Sequence, residues 1–316
     1  MEISIVVIGL NESKNLDRCF CSIYSLMKNS RDITEFELIY VDSGSVDSTF
    51  DVLRNYPDIR CFMLKGVKSA AAARKVGELQ SKFDYLLFLD GDMEVDSSFL
   101  NRLYTSQLLE KDDFAGVIGF RREMLFFDNE AGYIEQSSNY YSQRGISKLS
   151  HIGGALFIKK SALLACGGFD PYMKMWEEQD LLVRINAKAK NIYGINIPFI
   201  THYNRNRSTA VNSIKSYLSF YGTGYYFSRY FWKSLLGGCT IPLIKNQLGI
   251  LLLVVFLIAT TIFCSKYSLI FLGFIFMIVG LKGIIHSMIR LAWVLFYIPL
   301  SMLSSNKAKD FEYESF

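Results

Sequence analysis

The chain has 316 residues, 51% of them hydrophobic, and a formal net charge of +4. That length suits one large domain or two small ones, and so small a charge excludes a nucleic-acid partner held by electrostatics. The six cysteines contain no CxxC pair and no His partner at metal-ligand spacing, which excludes a zinc ribbon and reads as reduced, packed thiols of a cytoplasmic protein.

Ile3–Ile8, apolar but for Ser4, predicts a first strand; Gly9–Asn15 is its turn, and a helix follows to about Met27. Phe36–Val41 is a second strand, closed by Asp42-Ser-Gly-Ser-Val-Asp-Ser-Thr49, with Gly44 at the turn and Asp47 or Ser48 as a helix N-cap. A third strand near Arg60–Leu64 leads to Lys68-Ser-Ala-Ala-Ala-Ala-Arg-Lys-Val-Gly77. Its small residues let a ligand approach the start of a helix, where Arg74 either clamps a diphosphate or stands in solvent. Strands alternating with helices of this length predict a parallel, doubly wound sheet.

Tyr85-Leu-Leu-Phe-Leu-Asp-Gly-Asp-Met-Glu94 is the centre of the reading. Five bulky residues followed by Asp-Gly-Asp describe a buried strand that ends where open α/β sheets bind ligands. Asp90 and Asp92 repel each other unless a cation lies between them, and hard oxygen ligands suit Mg2+ or Mn2+; the plain alternative is a polar turn before a helix. Gly116 to about Ser150 is less regular, with Arg121, Arg122 and an aromatic stretch near Tyr133–Tyr141 that reads as helical. His151-Ile-Gly-Gly-Ala-Leu-Phe-Ile-Lys-Lys160 is a glycine turn entering a strand, and Cys166-Gly-Gly-Phe-Asp-Pro171 is a tight loop. Met175-Trp-Glu-Glu-Gln-Asp-Leu-Leu-Val-Arg-Ile185 is a helix whose acidic start either complements its own dipole or supplies a catalytic base. Ile195–Ile200 is a strand, and His202 just beyond it is a metal ligand or a structural histidine.

Taken in order, Asn11-Glu12, Val41-Asp42-Ser-Gly-Ser-Val-Asp47, Ala-Arg74, Asp90-Gly-Asp92, Gly-Gly-Phe-Asp170, Trp-Glu-Glu-Gln-Asp180-Leu and His202 resemble the family 2 glycosyltransferases of the GT-A fold, over roughly residues 1–210. The resemblance implies a Rossmann-like, mostly parallel catalytic domain. It also implies inverting transfer from a nucleotide-diphospho-sugar with Mn2+ or Mg2+. By the same resemblance Asn11, Glu12, Asp42, Arg74 and Asp90 bind the donor, Asp92 is the direct metal ligand with Asp90, and His202 is a further metal or diphosphate contact. Glu178 is the base, with Glu177 and Asp180 as substitutes. Ser43 stands where the family often has a second aspartate, which affects the nucleobase contact, and the base is Glu where the family has Asp.

The composition changes near Ser213. Tyr217–Trp232 interleaves Tyr and Phe with Arg229, and then Lys233 follows, as at a bilayer interface. Leu248–Cys264 is uncharged and about 25 Å long as a helix; Tyr267–Leu281 and the shorter Leu291–Leu303 follow. This divides the chain into a catalytic domain at 1–212, an interfacial linker at 213–245, a membrane hairpin with a third apolar segment at 246–304, and a polar tail at 305–316. The expectation is an enzyme of the cytoplasmic membrane, multi-pass, with its catalytic domain in the cytoplasm, acting on a glycan or lipid-linked acceptor. Lys233, Lys245, Lys307 and Lys309 would lie on the cytoplasmic side, which favours two spans over three.

Overall fold

The computed structural model describes residues 1–126, 133–136, 145–173, 176–205 and 311–316. In chain order the first half is β1 (Glu2–Gly9), α1 (Leu16–Asn29), β2 (Glu35–Asp42), α2 (Thr49–Leu53), β3 (Arg60–Leu64), α3 (Ala70–Gln80), β4 (Tyr85–Asp90), β5 (Met93–Val95) and α4 (Phe99–Thr105). The second half is β6 (Phe114–Phe126), β7 (Tyr133–Gln136), β8 (Ser147–Lys148), β9 (Leu156–Lys159), α5 (Lys160–Ala165), α6 (Glu177–Asn186), β10 (Asn191–Arg205) and β11 (Tyr313–Ser315). The strands form one sheet in the order β11-β3-β2-β1-β4-β9-β6-β10-β5, with β7 on β6 and β8 on β10.

The apolar runs explain the centre of this sheet. Leu86–Leu89 of β4 and Val6 and Val7 of β1 are almost wholly buried, because helices cover both faces. Burying each such side chain contributes roughly 1.5–3 kcal/mol over leaving it exposed. On α1, Leu16, Cys19, Phe20, Ile23 and Leu26 recur at helical spacing and are the buried ones. α3 lies still closer to the sheet. A Cβ at Gly77 would come within 2.1 Å of Val6 Cγ1, so the small residue there sets the approach of the helix that carries Arg74.

The sheet is mixed rather than mostly parallel. β1 pairs in parallel with β2 and β4, β2 with β3, and β10 with β6. Beyond β4 the order is interrupted, because β9 enters antiparallel between β4 and β6, and β5 runs antiparallel on β10. The parallel part ends where crossover helices give way to a two-residue turn after Asp90 and to longer returns. Part of the stretch read as helical near Tyr133–Tyr141 is also a strand: 133–136 pairs antiparallel with the end of β6, consistent with the β preference of Tyr and Ile.

The chain divides into two compact units, Met1–Lys215 with Lys309–Phe316, and Ser216–Ala308. The aromatic linker and the three apolar segments lie outside the described residues. Among the described residues no helix is long and apolar enough to cross a membrane. The end of the polar tail belongs to the first unit. β11 adds to the free edge of β3, Tyr313 opposite Leu64 and Ser315 opposite Phe62. Tyr313 meets the Phe62 ring edge-on at 6.1 Å, Phe316 meets Phe50 at 5.0 Å, and Gln80 Nε2 donates to Tyr313 Oη at 3.0 Å. An edge that would otherwise be open to another chain is thereby closed.

Candidate active site

The site lies at the carboxyl ends of β1, β2 and β4, and is built from the starts of two helices. Ser69 caps α3, its Oγ accepting from Ala72 N at 3.1 Å, and the helix then carries Arg74 beneath the end of β4. α6 is entered through Trp176, a non-glycine residue with φ 64°, and the chain turns there so that Glu177 and Glu178 face Arg74. The Arg74 guanidinium is 2% exposed and touches three carboxylates: Asp90 at 2.8 Å, Glu177 at 2.9 Å and Glu178 at 3.3 Å. Burial alone would lower its pKa, but Asp90, Glu178 and Glu177 outweigh that and hold the charge. Gly154 borders the group: a Cβ there would lie 2.4 Å from Arg74 Nη2 and 2.7 Å from Asp90 Oδ2.

The three carboxylates share this one guanidinium. Burial pushes the Glu178 carboxyl up to about 7; Arg74 pulls it down, and Glu177 pushes it up again. Burial likewise raises Glu12 to about 7, against the hydrogen bond from Asn15, with Asp92, Asp90 and Asp47 adding to the rise. Both groups are proton acceptors near neutral pH. Asp180 has a different place. It is buried, and Arg184 donates to its Oδ2 from Nε at 2.8 Å and from Nη2 at 2.5 Å while bonding Cys166 O at 2.6 Å. Asp180 therefore ties α6 to the preceding loop instead of facing Arg74.

Asp92 meets His202 on the other side of the turn, Oδ2 to Nε2 at 3.2 Å. His202 Nδ1 lies 2.8 Å from Glu123 Oε2 and 3.0 Å from Arg121 Nη2, and Arg121 and Glu123 pair with each other. Burial disfavours the imidazolium, but Asp92 and Glu123 outweigh it and the His202 pKa is raised. Asp92 Oδ1 is buried without a hydrogen-bond partner. An orphaned carboxylate oxygen beside an imidazole fits a divalent cation such as Mn2+, which completes its shell with phosphate oxygens and water. The expected ligand set Asp90, Asp92 and His202 is not assembled, because Asp90 Oδ1 is drawn to Arg74. Among the described residues no three His, Cys, Asp or Glu side chains converge as a ready-made metal cage.

Beside these carboxylates a pocket of about 280 Å³ is lined by Ile8, Leu10, Ser43, Lys68, Ser69 and Asp90. Asp42 does not line it. Its Oδ1 accepts from Gly44 N and Ser45 N, both at 2.7 Å, and its Oδ2 from Ser45 Oγ and Tyr40 Oη, so the fully buried carboxylate shapes the loop that presents Ser43. Asn11, in the left-handed region at φ 60°, joins that loop by its own N–H to Ser45 Oγ at 2.7 Å and by accepting from Val46 N at 2.9 Å. Lys68, Gly154 and Glu123 are site residues that motif reading missed. The Gly153-Gly154 pair was visible as a turn with no stated use, Lys68 as no more than the residue before a helix, and Glu123 carried no signal at all.

A sequence profile of glycosyl transferase family 2 matches residues 4–181. A cholesterol galactosyltransferase of Borreliella burgdorferi is 21% identical over 226 residues, 65% of this chain and 60% of that protein. A dolichyl-phosphate beta-glucosyltransferase of Dictyostelium discoideum is 28% identical over 136 residues, 40% of this chain and 42% of that protein. Among solved structures, S. aureus TarS 1–349 in complex with UDP-GlcNAc superposes with a TM-score of 0.54 at 16% identity, over 72% of this chain and 66% of that one. The chain thus spans less than two thirds of the length of either curated relative.

Proposed function

The chain belongs to glycosyl transferase family 2, and from that premise we propose that it is a glycosyltransferase that moves a sugar from a nucleotide-diphospho-sugar to an acceptor hydroxyl with inversion. The observation that carries this reading is Glu178: a carboxyl lifted to about 7, in the crevice, held by Arg74 and separate from the Asp92–His202 pair. An attacking hydroxyl must lose a proton as its oxygen bonds to sugar C1, and a carboxylate of this basicity accepts it. The bond from C1 to the diphosphate oxygen breaks on the opposite face, and its electron pair leaves with the nucleoside diphosphate. A single displacement inverts C1.

The other residues position and bind. Arg74 and Glu177 orient Glu178 and Asp90. The pocket over Ser43 and Lys68 suits the nucleoside side of the donor, and Lys68 supplies a positive charge there. Asp92 and His202 are the side chains that would hold Mn2+ or Mg2+. When bound, the cation offsets charge on the departing diphosphate. The UDP-GlcNAc of the TarS structure makes uridine sugars the first donors to test. The names of the relatives point to lipid acceptors, cholesterol in one and dolichyl phosphate in the other. A phosphate acceptor is already an anion and needs no base, so Glu178 favours a hydroxyl. In this reading the apolar segments after Ser213 hold the enzyme at the cytoplasmic membrane. The return of residues 311–316 to β3 supports an even number of crossings.

The test is nucleotide release and product formation by the full-length protein in detergent with Mn2+. UDP-, GDP-, dTDP- and CMP-sugars are each offered with a hydroxyl-bearing lipid glycan extract or with polyprenyl phosphate. The reading expects one donor class to transfer to hydroxyl, with Glu178→Gln slower by roughly 10²–10⁴-fold. Transfer to polyprenyl phosphate that Glu178→Gln leaves undiminished would replace it with the phosphate-acceptor reading.

A further inference from the structure

Glu123 is a buried carboxylate on β6 with no part in the chemistry above. It is the cross-strand neighbour of His202 on β10, whose other neighbour, Met93 on β5, directly follows Asp92. The sheet therefore sets three side chains in a row: Glu123 on one side of the imidazole, Asp92 on the other, at 2.8 and 3.2 Å. Arg121, two residues earlier on the same strand and face, reaches His202 Nδ1 at 3.0 Å and pairs with Glu123.

The ring cannot satisfy all of these partners in every protonation state, and the choice decides whether it can bind a metal. A neutral imidazole has one N–H and one lone pair. If Arg121 donates to Nδ1, the proton must sit on Nε2, which then donates to Asp92 and has no lone pair for a cation. If Glu123 accepts from Nδ1–H, the lone pair is on Nε2 and points toward Asp92 and its unpartnered Oδ1. Glu123 opposes the first arrangement twice, by accepting the Nδ1 proton and by engaging the Arg121 guanidinium.

We propose that Glu123 is a positioning residue for metal binding: it holds His202 in the tautomer whose Nε2 lone pair, together with Asp92, receives the divalent cation. This rests on the reading of Asp92 and His202 as the metal-binding pair. The carboxylate acts through the histidine. In metal sites generally, partners of this kind change affinity by roughly 10–100-fold.

The test is Mn2+ binding to the full-length protein with saturating UDP, read from the electron paramagnetic resonance of free Mn2+, for wild type, Glu123→Ala, Glu123→Gln, His202→Ala and the Glu123→Ala/His202→Ala double variant. Binding of UDP in EDTA and thermal unfolding are followed in parallel. Glu123→Ala is expected to weaken Mn2+ by about 10–100-fold without changing UDP binding in EDTA. Glu123→Gln, which keeps an acceptor oxygen without the charge, should lose less and covers the case in which the alanine variant does not fold. The double variant should bind no worse than His202→Ala alone. Unchanged Mn2+ affinity in both folded Glu123 variants, or additive losses in the double variant, would overturn the proposal while leaving the metal pair standing. A wild type that binds UDP but no Mn2+ would instead overturn the metal reading, and this inference with it.

Discussion

Replacing Arg74 by methionine removes the cation that Asp90, Glu177 and Glu178 share and leaves the volume nearly filled. The guanidinium is 2% exposed and its contacts with the three carboxylates are 2.8, 2.9 and 3.3 Å, so little water can take its place. Breaking a buried ion pair from one side costs about 3–5 kcal/mol, or roughly 6–20 °C in Tm for a domain of this size. The loss must depend on pH. Burial already lifts the Glu178 carboxyl to about 7 with the arginine present, and removing Arg74 takes away the cation that pulls it down. A carboxyl raised on folding destabilises the native state above its unfolded pKa of 4.5 and not below it, so the deficit should be full at pH 8 and shrink toward pH 5. Thermal unfolding of both proteins at pH 5 and pH 8 reads this directly. A Tm within about 2 °C of wild type at pH 8, less than 1 kcal/mol, would refute the arrangement; so would an equal loss at both pH values.

Gly154→Ala should leave the fold intact and cost about 10²-fold in turnover, because the new methyl would stand 2.4 Å from Arg74 Nη2 and displace the pair it makes with Asp90. Steady-state kinetics beside an unchanged circular dichroism spectrum would show this. Removing residues 311–316 uncovers Phe62 and the edge of β3. It should cost about 1–2 kcal/mol and bring concentration-dependent light scattering. Because that tail packs on β3, the proposed membrane anchoring predicts that reporters fused at Met1 and after Phe316 lie on the same side of the membrane; opposite sides would contradict the proposed even number of crossings.

What was legible in the sequence is what short-range pattern dictates. The run Arg60–Leu64 is a strand with those same bounds, and Tyr85–Leu89 lies in the middle of the sheet and ends in Asp90 as the Asp-Gly-Asp turn required. The acidic start of α6 was equally plain, yet whether its carboxylates served the dipole or the site depended on Trp176, whose left-handed turn aims Glu177 and Glu178 at Arg74. Arg74 itself was read as solvated or as a diphosphate clamp; in the structure it is buried, and Asp90 and the Glu177-Glu178 pair, distant from it in sequence, close around it. Asp42 was assigned to the donor by the family resemblance; in the structure backbone N–H groups two and three residues on bond its Oδ1, and Ser45 Oγ and Tyr40 Oη its Oδ2, pairings that the motif did not reveal. The antiparallel insertion of β9 and the tail strand β11 are pairings across large sequence separations, which local periodicity does not encode. Glu123 escaped for the same reason, since it meets His202 only because β6 and β10 are neighbours.

If Glu178 takes the acceptor proton, the pH dependence of kcat/KM reports its titration. With a carboxyl at about 7 as the base, wild-type activity should rise with pH along an acid limb centred near that value. Glu12 is raised to a similar value, so Glu12→Gln serves as the control. The limb should survive in Glu12→Gln and disappear in Glu178→Gln, whose residual activity is low and flat. An acid limb unchanged in Glu178→Gln would contradict it, and would show that another group accepts the proton.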